Sequence, residues 1–433
     1  MMKIKLRGIL FGVIILLLLV SSAALAQTET QDEAKLAGDV TTLAAPPMSA
    51  FINIRVDSIE NRRPQVAYNS RHGEFLVVWE EEIHGGEVAI FGCRVGLDGA
   101  TKGGAFPIQH FTNRQLGLPD VAYSVKQDTY LVVFTEKISG TNYDIAVVPV
   151  SWNGVVGSGY FIDWDLEWDW YPAVAYNVQN DEYLVVWENC ISCQGGTRRD
   201  IKAQRINAST GALLSWRYVA GSNNMIRRLP AVAYNSARNE YLISYTRHSN
   251  LSTDGDIVGL RTNFNMSWPV LSEIQITPSG YPPQVDVAIA AGPDEYMVVW
   301  DEDYGATKNS IWGRRVGGDG SLHSFISLAN DTGKIRFEPE VSFGDGGHYL
   351  VTWRYVGGTW NIFGRYVRAG QNSPEGPEFP IDDSGGDQKV PAVSCAHSSP
   401  CLVVYEDKYP GPDYEIRGRL VGHRRIHLPI TLR

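Results

Sequence analysis

Hydrophobic residues along this chain fall in short runs, and no long segment carries the 3.6-residue period of an amphipathic helix. Three kinds of run recur in order. The first is short and small, Val-Ala-Tyr at residues 174–176. The second is a continuous apolar stretch, Tyr-Leu-Val-Val-Trp at residues 183–187. The third reads Ile-x-Gly-x-Arg-Val, as at residues 90–95. A weaker fourth run places an apolar residue some ten positions before the next proline: Ile108, Ile162, Val219, Ile274 and Ile381. Each run is of strand length, and the continuous one fits a strand buried on both faces.

The runs belong to an internal repeat. "PQVAYNSRHGEFLVVWE" at Pro64 has close relatives at Pro119, Pro172 and Pro230 and weaker ones at Pro283, Pro339 and Pro391. The seven copies lie 52 to 58 residues apart. A second landmark keeps step: Trp79, Phe134, Trp187, Tyr245, Trp300, Trp353, Tyr405. Four antiparallel strands per unit of about fifty residues is the pattern of a propeller blade. The predicted fold is therefore all-β, a seven-bladed β-propeller of four-stranded antiparallel blades. A β-solenoid or a pair of β-sandwiches is the rival, but solenoid turns are usually shorter and sandwiches need no seven copies in step. Ile54 lies ten residues before Pro64, the Ile162-to-Pro172 spacing. An N-terminal strand at residues 51–56 is thus expected to close the ring against residues 416–421, removing a sheet edge. The tail "RIHLPITLR" is the competing candidate for that fourth strand.

The ends set the compartment. Lys3, Lys5 and Arg7 precede an apolar core at residues 9–20, and Ala24-Leu25-Ala26 gives a cleavage pattern. Residues 1–26 read as a signal peptide, 27–50 as a flexible linker, 51–421 as the propeller and 422–433 as a C-terminal tail. The chain is expected to be secreted, extracellular or at the cell surface, monomeric, and without a membrane span after cleavage. Its net charge of -10 argues against nucleic acid as a partner.

Cysteine placement adds two bridges. Cys395 and Cys401 replace aromatics that face each other in the other copies, so a cross-strand disulfide is expected. Cys190 and Cys193 form a C-x-x-C in a loop, with no second pair and no nearby histidine for zinc. A local disulfide is expected there, and Cys93 is left as a buried thiol. No metal and no cofactor is expected. The nine histidines are scattered, and neither H-E-x-x-H nor G-x-S-x-G occurs.

If the strands alternate in direction, the loop before each proline and the loop after each Trp-like landmark open on one face. The residue after the landmark is acidic in four copies, Glu80, Glu188, Asp301 and Glu406. These could ring the channel mouth and bind a cationic ligand, or bond loop backbone and pair with the third-strand arginines Arg94, Arg205, Arg261, Arg315 and Arg365. The third copy is richest on this face. Its preceding loop carries Trp164, Asp165, Glu167, Trp168, Asp169, Trp170 and Tyr171. Aromatic faces can stack on sugar rings, and paired carboxylates are the glycosidase set. A packed, partly exposed loop is the plain alternative.

The "PxVAYN…EYLVVWE…DIxGRRV" repeat resembles one found in many exported bacterial proteins of largely unassigned function. The resemblance implies a propeller-like repeat domain and carries no catalytic residues. The main expectation is a non-catalytic binding module that recognises a glycan or a cell-surface protein through loops at one channel mouth. A glycan-active hydrolase or lyase using loop carboxylates, and a structural or adhesive module, are the alternatives.

Overall fold

The computed structural model describes residues 45–423, apart from short stretches at 84, 113, 141, 166, 192–197, 222–224, 250–254, 267–272, 281, 306–307, 398–399 and 409–410. Apart from Ala45, these belong to the unit Pro46–Arg433. The segment expected as a signal peptide, most of the linker, the terminal tail beyond residue 423 and Cys193 lie outside the described residues.

The fold is all-β. Among the described residues the elements are strands and one short 3₁₀ turn, Asp345–Gly347. The strands form five sheets of four and one of eight, and consecutive strands within each group of four are antiparallel neighbours. The eight-stranded sheet is two such groups joined by a single parallel bridge, Arg199 to Ile226. Strand Ile52–Arg55 pairs antiparallel with Glu415–Val421, Ile52 lying opposite Gly418.

The continuous apolar strand is buried on both faces, and its alternation assigns each face a neighbour. In Glu74–Ile83, Leu76 and Val78 pack with Val132 and Phe134 of the following group. Phe75, Val77 and Trp79 point the other way and pack with Leu402 and Val404. Each such side chain contributes about 1.5–3 kcal/mol on burial, so one strand ties three groups together.

The glycine of the third run is explained by close approach. A Cβ on Gly92 would lie 2.8 Å from Ile108 Cδ1, on Gly259 2.9 Å from Ile276 Cδ1, and on Gly364 2.9 Å from Ile381 Cδ1. The missing side chain makes room for the fourth-run isoleucine, which in the fourth unit is Ile276, just past the strand Ile274–Gln275, rather than the expected Ile274. At Gly418 the isoleucine in that niche is Ile54, at 3.2 Å from the Cβ position.

Three expectations about the elements are corrected. The first strands begin before the proline rather than at it: Asn61–Asn69, Leu116–Ser124 and Trp168–Asn177. A bulge precedes each repeat's Val-Ala-Tyr, and the residue before proline takes a left-handed conformation at Arg63, Leu118, Tyr171, Leu229, Glu338 and Val390, with φ of 48 to 55°. Residues 168–171, expected as loop, are therefore strand. In the fifth copy Pro283 is not the equivalent position. Ala288 lies opposite Val299, as Gln65 lies opposite Val78, so Val287 stands where Pro64 stands and Asp286 where Arg63 stands. The hairpin at Gly292–Glu295 has two loop residues instead of four, which shifts any count made back from Trp300. The fourth strands at Tyr160–Phe161 and Ile274–Gln275 have only two residues.

The cysteines follow the cross-strand reading. Cys395 lies opposite Cys401 and is bonded to it. In five other groups this pair is aromatic, as in Tyr68–Phe75 at 5.1 Å between ring centroids, and in the fifth group Ala291 lies opposite Tyr296. Cys93 is a buried free thiol. Cys190 is disulfide-bonded, its expected partner lying outside the described residues.

Candidate functional site

The four acids that follow the landmark are buried and engaged. Glu80 accepts from the Leu118 amide at 2.6 Å and from Arg63 through both oxygens. Glu406 accepts from the Arg63 amide at 2.8 Å and pairs with Lys389. Glu188 lies 3.4 Å from the Leu229 amide and pairs with Arg199 and Arg228. Asp301 accepts from the Asp286 amide at 2.9 Å. Each holds the amide of a residue at the first-strand bulge, so these acids lock backbone. Burial pushes the Glu406 carboxyl up, and burial beside Asp286 pushes Asp301 well up.

The recurrent third-strand arginines do not pair with them. Register sets Arg94 opposite Leu76, while Glu80 lies opposite Ile90, about 13 Å further along the strand. Instead Arg94 pairs with Glu74, Arg205 with Glu182, Arg261 with Glu240 and Arg315 with Glu295, each the acid that opens the second strand. Tyr241, Tyr296 and Tyr349 of the next group reach the same acids, at 3.5, 3.4 and 3.2 Å. Arg365 instead bonds the carbonyls of Gly376 and Leu328.

The stretch at residues 163–171 divides its chemistry between two sides. Lys202 Nζ lies 2.9 Å from Asp163, 2.9 Å from Asp165 and 3.0 Å from Glu167. Asp169 is fully buried and accepts from Asn189 at 2.7 Å. Its carboxyl rises to about 8, chiefly through burial and then through Asp163. Asp144, on strand Asn142–Ser151, is also fully buried and rises to about 7 through burial, Asp165 and Asp163. The acids therefore form one cluster, with Asp144 and Asp169 buried and Asp163, Asp165 and Glu167 half-buried around Lys202. Trp168 and Trp170 meet edge to face at 5.3 Å, and Arg199 lies over Trp170 at 5.4 Å. Trp164 is 69% exposed and contacts Phe161 edge-on.

Of this stretch, Trp170 and Tyr171 line a cleft of about 530 Å³, with Glu80, Arg63, Tyr143 and Arg228. Residues before the prolines and after the landmarks meet in it, as the alternating strand directions require. A second cavity of about 520 Å³ adjoins it and shares Arg63, Leu118 and Tyr171. First strands from every group line this second cavity. Its column of residues after proline reads Gln65, Asp120, Ala173, Ala231 and Glu340.

Asp120 and Glu340 are the residues that sequence reasoning missed. Asp120 accepts from the amides of Val121 and Val174, both at 2.8 Å, yet burial pushes its carboxyl up to about 7. Glu340 rises to about 8 through burial and the nearby negative charges of Asp120, Asp286 and Glu338. Asp286 rises to about 6 through burial and Glu338. Glu338 pairs with Arg354 at 3.3 Å. The signal was two acids in a first-strand column that is otherwise neutral, "PDVAY" and "PEVSF".

No family model matches this chain. No curated protein matches it either. Solved structures do share its fold. A protein of unknown function from Dyadobacter fermentans superposes with a TM-score of 0.56 at 10% identity, over 88% of this chain and 100% of that one. The α-L-arabinofuranosidase of Fusarium graminearum in complex with an iminosugar inhibitor gives 0.51 at 13% identity, over 75% and 99%. The GH93 α-L-arabinofuranosidase of the same organism, with arabinobiose, gives 0.50 at 13%, over 87% and 98%. Identities this low speak for fold alone, that of a propeller-like array of four-stranded antiparallel sheets. They correct one expectation: with glycan-processing enzymes among the structures of this fold, a non-catalytic binding module no longer stands as the main reading.

Proposed function

We propose that this protein is a glycan-active hydrolase working where the mouth cleft meets the axial cavity of a seven-bladed ring. Seven repeats in step support the ring. Each first strand packs against those of the groups before and after it, and Asn61–Asn69 packs against Gln388–Cys395. Strand Ile52–Arg55 serves as the fourth strand of the last blade, with Ile54 in the niche over Gly418. The N-terminal pattern supports export.

One observation carries the chemistry: Asp120 and Glu340 face the same cavity with carboxyls raised into the 7–8 range. Glycoside hydrolysis needs one carboxyl that keeps a proton at neutral pH and one that serves as carboxylate. Burial and three neighbouring negative charges keep Glu340 protonated, which suits a general acid toward the glycosidic oxygen. Two backbone amides favour the charged form of Asp120, which suits a base or nucleophile toward the anomeric carbon. Trp170, Tyr171 and Tyr143 offer faces for sugar rings in the adjoining cleft. Glu167 and Asp169 are turned to Lys202 and Asn189, so the carboxylates of this reading are axial ones.

The likeness to two α-L-arabinofuranosidase structures makes arabinose-containing polysaccharides the first substrates to try. The test is release of reducing ends by the folded, secreted chain from arabinan and a panel of other plant and bacterial polysaccharides. Release from at least one supports the reading, and release from none contradicts it.

A further inference from the structure

We propose that Asp144, Asp165 and Asp169 form a binding site for a hard divalent cation of the calcium type. The three residues come from different places in the chain: a third strand, the loop after Ile162, and the start of the next first strand. One carboxylate oxygen from each lies within 4.8 Å of the others. Calcium is held by six to eight oxygens at about 2.3–2.6 Å, so such oxygens sit at this separation around one ion.

A cluster of acids alone argues for nothing, and a second observation carries the case. Asp144 and Asp169 are 0% exposed, and neither oxygen of Asp144 has a hydrogen-bond partner. Asp169 satisfies one oxygen through Asn189 and leaves Oδ2 without a partner. Asn142 Oδ1 and Asn189 Oδ1, on the same strands as or facing these acids, are also buried and unsatisfied. Charged oxygens that are buried without a partner are strongly disfavoured. Lys202 offsets part of the charge, but its contacts go to Asp163, Asp165 and Glu167. One ammonium stands against five carboxylates. The donors are all oxygen, which selects calcium or magnesium over zinc or copper. A bound cation would tie the loop to two strands and fix the backbone from which Trp170 faces the cleft.

The test uses the full secreted chain, stripped with EDTA and titrated with Ca²⁺, Mg²⁺ and Tb³⁺. Ca²⁺ is expected to raise the melting temperature and to compete with Tb³⁺, whose emission is excited through nearby tryptophans. Asp144→Asn and Asp169→Asn keep the shape and are each expected to weaken Ca²⁺ binding on the order of a hundredfold. If one variant fails to fold, the other and the EDTA-treated wild type decide. Absence of Ca²⁺ or Tb³⁺ binding by the wild type at millimolar concentration overturns the proposal and leaves shared protons as the way these carboxyls are satisfied. Unchanged affinity in both variants overturns it as well.

Discussion

Glu80 accepts the backbone amide of Leu118 at 2.6 Å, and Leu118 is held at φ 53° immediately before Pro119. A left-handed leucine costs about 1–2 kcal/mol, so something must hold it. The acid after the tryptophan landmark does so from the preceding repeat. Glu80→Ala strips the Leu118 amide and Arg63 of a partner at once. It is expected to lower unfolding free energy by about 2–3 kcal/mol in urea titration. A loss below about 0.5 kcal/mol would mean that the bulge is held by packing.

At the opposite end of a second strand, in the fifth group, Glu295 receives Arg315 at 2.6 Å, Tyr349 at 3.2 Å and the Gly370 amide at 3.1 Å. The two side-chain partners are expected to differ in weight. Tyr349→Phe removes one donor of several and should cost about 1 kcal/mol. Arg315→Ala leaves a buried carboxylate without its charge partner and should cost about 3–5 kcal/mol. Equal losses in the two variants would contradict this ordering.

Ile54 and Ile108 occupy equivalent niches over Gly418 and Gly92, at 6% and 3% exposure. If the N-terminal strand completes the last blade, Ile54→Ala should destabilise as much as Ile108→Ala, about 2–5 kcal/mol by chemical denaturation. A near-neutral Ile54→Ala would show an N-terminal strand that merely lies on the surface.

Much of this fold was legible because the repeat repeats its packing. A glycine recurs in the third run of five units, at 92, 259, 313, 364 and 418, and the niche it shares with a fourth-run aliphatic side chain explains both. The fifth copy misled because its hairpin is two residues shorter, which lets Pro283 imitate a landmark it does not occupy. The site was harder to read. The density of acids at residues 163–169 pointed to carboxylates free for a ligand, whereas Lys202, distant in sequence, engages Asp163, Asp165 and Glu167. Asp120 and Glu340 stand 220 positions apart, and only the arrangement of first strands around one cavity brings them together.

The raised carboxyls of Asp120 and Glu340 make a claim about pH. In the unfolded chain both release their protons near pH 4, whereas in the folded chain they hold them to about 7 and about 8. Across that window the unfolded state binds fewer protons, so stability falls as pH rises. Asp120→Asn and Glu340→Gln remove the cost. Each is expected to melt higher than wild type at pH 8 and to show no such advantage near pH 4. Difference curves that stay flat from pH 4 to 8 would contradict the raised values.

The most direct measurement of the central claim is kcat/KM on the polysaccharide that wild type cleaves best, compared among wild type, Asp120→Asn, Glu340→Gln and Glu167→Gln. Loss of a positioned acid or base typically costs about 10²–10⁴-fold. Both axial variants are expected to fall by that factor while folding normally, and Glu167→Gln to stay within about threefold because its carboxylate faces Lys202. Full activity in the axial variants, or loss confined to Glu167→Gln, would place the chemistry elsewhere.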